Sequence, residues 1–125
     1  MAETILLVDD EDALRSLSSE ILESVGYAVK QASQGQEALV IYETEGKSID
    51  LVVLDLAMPV MGGRETFRKL MAINPGLKVV VTTGSADDAE TRELLALGVK
   101  AVLPKPYAVE QFTSVIKNVL EDNVR

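Results

Sequence analysis

Short apolar runs without polar alternation restrict this sequence to few folds. Four such runs lie between turn signals. Strands buried on both faces have this character, because a parallel sheet covered by helices on both sides leaves neither face in water. The predicted strands are Ile5–Val8, Leu51–Leu54, Val79–Val81 and Ala101–Leu103, and a weaker strand, Ala28–Ala32, follows the break at Gly26.

Segments with helical spacing separate these runs. Apolar residues recur at every third or fourth position from Leu14 to Val25 and again from Val109 to Val119. Glycine, proline or asparagine bounds three further predicted helices, over Gln36–Glu45, Arg64–Ile73 and Asp87–Leu97. Five strands and five helices in strict alternation predict a single doubly wound α/β domain over residues 1–125, with the flavodoxin-like strand order 2-1-3-4-5 and no output domain.

Composition excludes several kinds of site. The 125 residues include 20 acidic and 12 basic side chains, for a net charge of −8, whereas proteins that bind the phosphate backbone need clustered lysine and arginine. We therefore expect no nucleic-acid partner. The chain has no cysteine and no histidine, which excludes disulfides and imidazole catalysis. No apolar stretch approaches the ~18–20 residues of a membrane span, so we expect a cytoplasmic protein with no membrane partner.

Acidic residues follow two strands that this topology makes neighbours. Asp9 and Asp10 come directly after the first strand, and Asp55 closes the third. The carboxyl ends of parallel strands meet where such sheets bind ligands. Two like charges about 4 Å apart cost about 4 kcal/mol at an effective dielectric of about 20, so a cation or a proton must intervene. Taken alone, the run Asp9–Asp12 is also explained as the cap of the following helix.

A lysine and a hydroxyl group follow two other strands. Lys105 comes after the fifth strand, and its single charge cannot balance three carboxylates. Oxygen ligands without histidine or cysteine suit Mg²⁺ rather than zinc. With a hydroxyl donor from Thr82, Thr83 or Ser85 at the end of the fourth strand, these groups could stabilise a phosphoryl group in transit, and Asp55 is the predicted nucleophile. Thr83 is equally explained as a helix cap, and Lys105 as a solvated turn residue.

Four motifs, in order and at strand ends, give the chain a family resemblance. They are Leu7–Val8–Asp9–Asp10–Glu11, the run from Leu54 to Gly63, Thr82–Thr83–Gly84, and Leu103–Pro104–Lys105–Pro106–Tyr107. From about Thr4 to Leu120 the chain resembles the receiver domain of two-component response regulators. The last two motifs are most similar to receivers attached to hybrid sensor histidine kinases.

The resemblance implies a magnesium site and a phosphoacceptor. Asp55 would accept the phosphoryl group. Asp10 and Asp55 would bind Mg²⁺ directly, and Asp9 would bind it mainly through water. The backbone carbonyl of Ala57 would complete the protein ligands.

The resemblance also implies how the phosphoryl oxygens are bound. Thr83 would bond one oxygen and Lys105 another, and the Lys105–Pro106 peptide would be cis. Receivers of this kind often carry an aromatic residue three positions before the lysine, where this chain has Val102. Tyr107 lies on the other side of the lysine, just past Pro106.

The expected function is a phospho-accepting switch. It would take a phosphoryl group from the phosphohistidine of a histidine kinase or histidine phosphotransfer protein and would hydrolyse it slowly, with no other enzymatic activity. A homodimer through the fourth helix, fifth strand and fifth helix is a further possible interaction. Two alternatives remain open. A small Mg²⁺-dependent phosphohydrolase often has a second Asp two residues after the first, which Asp55 lacks. The other is a receiver-like binding module that is not phosphorylated.

Overall fold

Strands and helices alternate along the chain, as the apolar pattern predicts. The computed structural model describes residues 2–58, 60–84 and 87–121. In these residues the strands are β1 (Thr4–Val8), β2 (Ala28–Ala32), β3 (Leu51–Asp55), β4 (Val79–Thr83) and β5 (Ala101–Pro104). The helices are α1 (Asp12–Ser24), α2 (Gly35–Glu45), α3 (Gly63–Ile73), α4 (Asp88–Ala96) and α5 (Val109–Glu121), with a 3₁₀ turn at Gly46–Ser48. The predicted boundaries are confirmed to within the one or two residues by which such assignments vary.

The five strands form one parallel sheet in the order β2-β1-β3-β4-β5. This confirms the doubly wound α/β fold. All the carboxyl ends lie at the same end of the sheet because every neighbouring pair is parallel. Val8 pairs with Leu54 as the last residue pair of β1 and β3. The next residues, Asp9 and Asp55, therefore come side by side.

Each face of the sheet buries its own hydrophobic cluster. Along β1, Leu6 belongs to one cluster, and Ile5 and Leu7 belong to the other. Helices α2, α3 and α4 cover the first cluster with Leu39, Phe67 and Leu94. Helices α1 and α5 cover the second cluster with Leu22, Phe112 and Ile116. Both sides of each central strand thus need apolar residues, which explains why the runs do not alternate.

The helices bury one stripe each and leave the opposite side in water. In α5 the buried residues are Phe112, Ile116, Val119 and Leu120, which follow the helical period. Among the residues that the structure describes, no helix combines the length and the apolar character needed to cross a membrane.

Candidate functional site

Asp9, Asp55 and Lys105 meet at the carboxyl end of the sheet. The Nζ atom of Lys105 lies 3.4 Å from Asp9 Oδ2 and 3.3 Å from Asp55 Oδ2. Both aspartates are buried, with 4% and 3% of their surface exposed. Only 14% of the Lys105 side chain is exposed, so it is not a solvated turn residue. The structure thus brings together three of the residues that the sequence analysis selected.

Glu11 is a further member of this cluster. Its Oε1 atom lies 3.3 Å from Lys105 Nζ, and carboxylate oxygens of Asp9, Glu11 and Asp55 lie within 4.8 Å of one another. Glu11 occupies the N-cap position of α1 but makes no side-chain cap hydrogen bond. The capping explanation of the acidic run is therefore wrong at this position. The only sequence signal for Glu11 was its place directly after Asp10.

Asp10 lies beside the cluster rather than within it. Its side chain is exposed, and its carboxylate is not one of the three that approach one another. Its place in the chain between Asp9 and Glu11 keeps it next to the cluster. Its role as a direct metal ligand stays a prediction.

Every polar group of Asp9 has a protein partner. Its N–H donates to the carbonyl of Ala32 in β2 at 3.1 Å, and its Oδ1 accepts the N–H of Glu11 at 2.8 Å. Its Oδ2 faces Lys105. Its carbonyl accepts a hydrogen bond from Arg15 Nη1 at 2.7 Å. Arg15 is a second basic residue at the site, and it was not predicted because it lies within a helix, whereas the sequence places the candidate cation at a strand end.

Thr83 and Ala57 lie at the ends of the two central strands. Thr83 is the buried last residue of β4, and its carbonyl accepts the backbone N–H of Lys105 at 2.7 Å. The Ala57 N–H donates to Asp55 Oδ1 at 3.2 Å. The side chain of Asp87 caps α4, so Thr83 does not serve as the cap of that helix.

The chain after Asp55 turns back tightly to begin α3. The N–H of Gly63 donates to the carbonyl of Leu56 at 2.9 Å, and a methyl group at Gly63 would lie 2.7 Å from the Asp55 carbonyl oxygen. Gly63 thus permits a close backbone approach at the start of a helix. In the same loop Val60 is fully exposed with a φ of 67°, a conformation that β-branched residues rarely adopt.

Tyr107 is held by α1 and α5. Its hydroxyl lies 3.2 Å from Ser18 Oγ, and its ring stacks on Phe112 with centroids 4.8 Å apart. These contacts give Tyr107 a packing role between α1 and α5, away from the position that Val102 occupies in β5. The Lys105–Pro106 peptide is cis, as the resemblance implies.

Burial and charge shift two pKa values at the site. Burial raises the pKa of Asp55 from 3.8 to about 6. The charge of Lys105 opposes this rise, and that of Asp9 adds to it. Burial alone would lower the pKa of Lys105, but the negative charges of Asp55 and Asp9, together with the hydrogen bonds to Glu11 and Asp55, raise it. The single ammonium group of Lys105 faces the carboxyl groups of Asp9, Glu11 and Asp55 and cannot neutralise all three.

The donors at the site fit a hard divalent cation. Three carboxyl groups supply oxygen atoms, and the sequence contains no histidine or cysteine that would favour a softer metal. Mg²⁺ takes such oxygen ligands and keeps several waters, which leaves positions for substrate oxygens.

Comparison with known proteins shows the family. The profile described as the response regulator receiver domain matches residues 5–117. The chain belongs to this family. Receiver domains are the phospho-accepting switches of two-component signalling, and they interact with histidine kinases or phosphotransfer proteins. The phosphohydrolase and the unphosphorylated binding module are not favoured by this match.

Individual proteins and a solved structure that are similar to this chain support the family assignment. The receiver domain is 42% identical over 118 residues to the sensor kinase CckA of Brucella abortus (strain 2308), covering 94% of this chain and 12% of that protein. It is 32% identical over 120 residues to the sporulation initiation phosphotransferase F of Bacillus subtilis (strain 168), covering 96% of this chain and 95% of that protein. A solved receiver domain of the hybrid histidine kinase CckA superposes with a TM-score of 0.80 at 32% identity, covering 94% and 99% of the two chains. The similarity to receivers of hybrid kinases is therefore confirmed.

Proposed function

We propose that this receiver domain accepts a phosphoryl group on Asp55 from the phosphohistidine of a histidine kinase or histidine phosphotransfer protein. A carboxylate oxygen of Asp55 forms the new O–P bond as the N–P bond breaks, and the electron pair of the N–P bond returns to the imidazole. The observation that carries this proposal is the buried Asp55 carboxylate, with the Lys105 ammonium 3.3 Å away.

The positions of Lys105 and Thr83 support a role for both residues in binding the transferred group. Their backbones are joined by a hydrogen bond of 2.7 Å between the ends of neighbouring strands. The Lys105 ammonium would pair with one phosphoryl oxygen and the Thr83 hydroxyl with another. Such groups act mainly by positioning the phosphoryl group and by neutralising its charge.

Asp9, Asp10, Asp55 and the carbonyl of Ala57 would hold Mg²⁺. When bound, the ion would neutralise negative charge on the phosphoryl oxygens. The surplus of carboxyl groups over ammonium groups supports a cation at this end of the sheet. Glu11 would compete with the phosphoryl group for Lys105, because it already lies 3.3 Å from the ammonium.

The remaining expectations belong to the same proposal. The receiver domain would extend over residues 1–125, supported by a family match over residues 5–117. It would work in the cytoplasm and hydrolyse only its own aspartyl phosphate. It would not bind nucleic acid, because its net charge is −8. The face formed by α4, β5 and α5 would be its surface for a homodimer.

The test is phosphorylation by a small acyl phosphate in the presence of Mg²⁺, followed by intact-mass measurement. We expect the wild type to gain the mass of one phosphoryl group and Asp55→Asn to gain none. Asp88→Asn, an exposed position on α4, is the matched control and should behave as the wild type does. A mass gain in Asp55→Asn, or none in the wild type, would contradict the assignment of Asp55.

A further inference from the structure

Arg15 on α1 makes a set of contacts that the proposed phosphotransfer does not use. Its guanidinium donates from Nη1 to the Asp9 carbonyl at 2.7 Å, from Nη2 to Asp12 Oδ1 at 2.8 Å, and from Nε to Gln31 Oε1 at 3.1 Å. Only 15% of the side chain is exposed. A planar guanidinium can hold several acceptors in fixed directions, which a lysine cannot.

The Asp9 carbonyl is the group through which Arg15 reaches the site. The Asp9 N–H bonds to Ala32 in β2, so its carbonyl also faces β2, but the pairing of β1 with β2 ends at Val8 and Ala32, one residue earlier. Arg15 supplies the donor that a continued strand would otherwise supply to this carbonyl. The Asp9 carbonyl and the Asp10 N–H belong to one planar peptide group, so a hydrogen bond to the carbonyl fixes the orientation of the whole unit.

Arg15 is itself held in place from the sheet. Gln31 in β2 accepts from Arg15 Nε, and its Nε2 donates to Ser19 Oγ on α1 at 3.3 Å. The guanidinium therefore lies between the first turns of α1, the end of β1 and the edge strand β2. Because the Arg15 side chain is fixed in this way, its hydrogen bond to the Asp9 carbonyl can fix the peptide between Asp9 and Asp10.

We propose that Arg15 is a positioning residue of the magnesium site. By binding the Asp9 carbonyl it sets the peptide between Asp9 and Asp10, and thereby the direction in which the two carboxylates approach the metal. This inference rests on the proposed function for the metal itself. Neither Arg15 nor Gln31 touches the phosphoryl group in this proposal.

A simple charge effect would have the opposite sign. Arg15 carries a positive charge near a cation site, and its removal would also leave the Asp12 carboxylate unpaired. Electrostatics alone therefore predicts that loss of Arg15 tightens Mg²⁺ binding. Loss of a positioning contact predicts weaker binding. The direction of the change separates the two explanations.

The experiment is a Mg²⁺ titration followed by the backbone amide NMR shifts of Asp10 and Ala57. We expect the dissociation constant for Mg²⁺ to rise about tenfold in Arg15→Gln. This is the lower end of the loss in metal affinity that follows when a group that hydrogen-bonds to a metal ligand is removed. Arg15→Lys should give a smaller rise, because an ammonium can still donate a hydrogen bond to the Asp9 carbonyl, although without the planar set of donors that fixes its direction. Arg68→Gln, at an exposed position on α3, is the matched control, and its constant should stay within about twofold of the wild type.

Each result of the titration bears on the proposal. Weaker binding in both Arg15 variants, with well-dispersed spectra, supports positioning. Unchanged or tighter binding in Arg15→Gln overturns it while leaving the proposed metal site intact. If the wild type shows no Mg²⁺-dependent shifts, the proposed metal site fails, and this inference fails with it. If Arg15→Gln does not fold, the test depends on Arg15→Lys alone. A dissociation constant for Mg²⁺ equal to that of the wild type would then overturn the proposal.

Discussion

At the scale of the residue, Asp55 combines burial with negative neighbours. Its pKa is raised to about 6 chiefly because burial removes water from the carboxylate, and Lys105 offsets only part of this cost. The group is thus ionised at neutral pH, as a nucleophile must be, but in an environment that penalises its charge. A pKa of about 6 in place of 3.8 corresponds to about 3 kcal/mol against the charged form.

This penalty makes the stability of the protein depend on pH. Between about pH 4 and pH 6 the folded state binds more protons at Asp55 than the unfolded state, so this residue's contribution to the free energy of unfolding falls as the pH rises. Without Mg²⁺ we expect Asp55→Asn to be more stable than the wild type by about 1–3 kcal/mol at pH 8. The difference should shrink towards zero near pH 4, where Asp55 is protonated.

Urea unfolding at several pH values, in the presence of EDTA, measures this difference. Asp88→Asn on α4 is exposed and should show no comparable gain at pH 8. A stability difference for Asp55→Asn that stays constant from pH 4 to pH 8 would show that burial of the charge is not its cause.

At the scale of the element, the start of α3 is built against the end of β3. Gly63 is the buried first residue of the helix, and a methyl group there would lie 2.6 Å from the Cα atom of Leu56 and 2.7 Å from the Asp55 carbonyl oxygen. Both are backbone atoms, so neither can move aside as a flexible side chain could. At Gly62, the N-cap of α3, a methyl group would meet nothing within 4 Å.

We therefore expect Gly63→Ala to destabilise the protein by about 1–3 kcal/mol, because overpacking here displaces backbone. It should also slow phosphorylation by a small acyl phosphate, since the displaced backbone carries Asp55. Gly62→Ala is the matched control and should cost less than about 1 kcal/mol, the usual effect of replacing a favourable N-cap residue. Urea unfolding and the rate of mass gain measure the two effects, and equal effects at the two glycines would contradict the packing argument.

At the scale of the whole molecule, an excess of negative charge surrounds a site that has one ammonium group for three carboxyl groups. A cation that binds only the folded arrangement stabilises it by mass action. Sodium ions screen all the charges to a similar extent, whereas Mg²⁺ at the site should add a specific contribution. The fold as a whole thus responds to the metal through a few atoms at one end of the sheet.

We expect MgCl₂ to raise the free energy of unfolding above its value in NaCl of the same ionic strength. The gain should be about 1.4 kcal/mol when the Mg²⁺ concentration is about ten times the dissociation constant. Asp10→Asn should lose this gain. Asp12→Asn should keep most of it, because the Asp12 side chain is 85% exposed and pairs with Arg15. Equal losses in the two variants would show that Asp10 is not a ligand.

Much of the architecture can be predicted from local pattern. The apolar run Leu51–Leu54 specifies a strand that is buried on both faces. The helical spacing of apolar residues over Val109–Val119 specifies a helix that is buried on one face. The rule that ligands bind at the carboxyl ends of parallel strands then places Asp9, Asp55 and Lys105 together, although Lys105 and Asp9 are 96 positions apart.

The directions taken by individual side chains could not be predicted in this way. Glu11 could have capped α1 but instead turns to Lys105, and Arg15 reaches back from a helix to the Asp9 carbonyl. Tyr107 packs between α1 and α5. In each case the partners of the side chain depend on distances between elements, and these distances exist only after the helices have packed on the sheet. Local pattern carries information about burial, but the choice among polar partners is made by three-dimensional proximity.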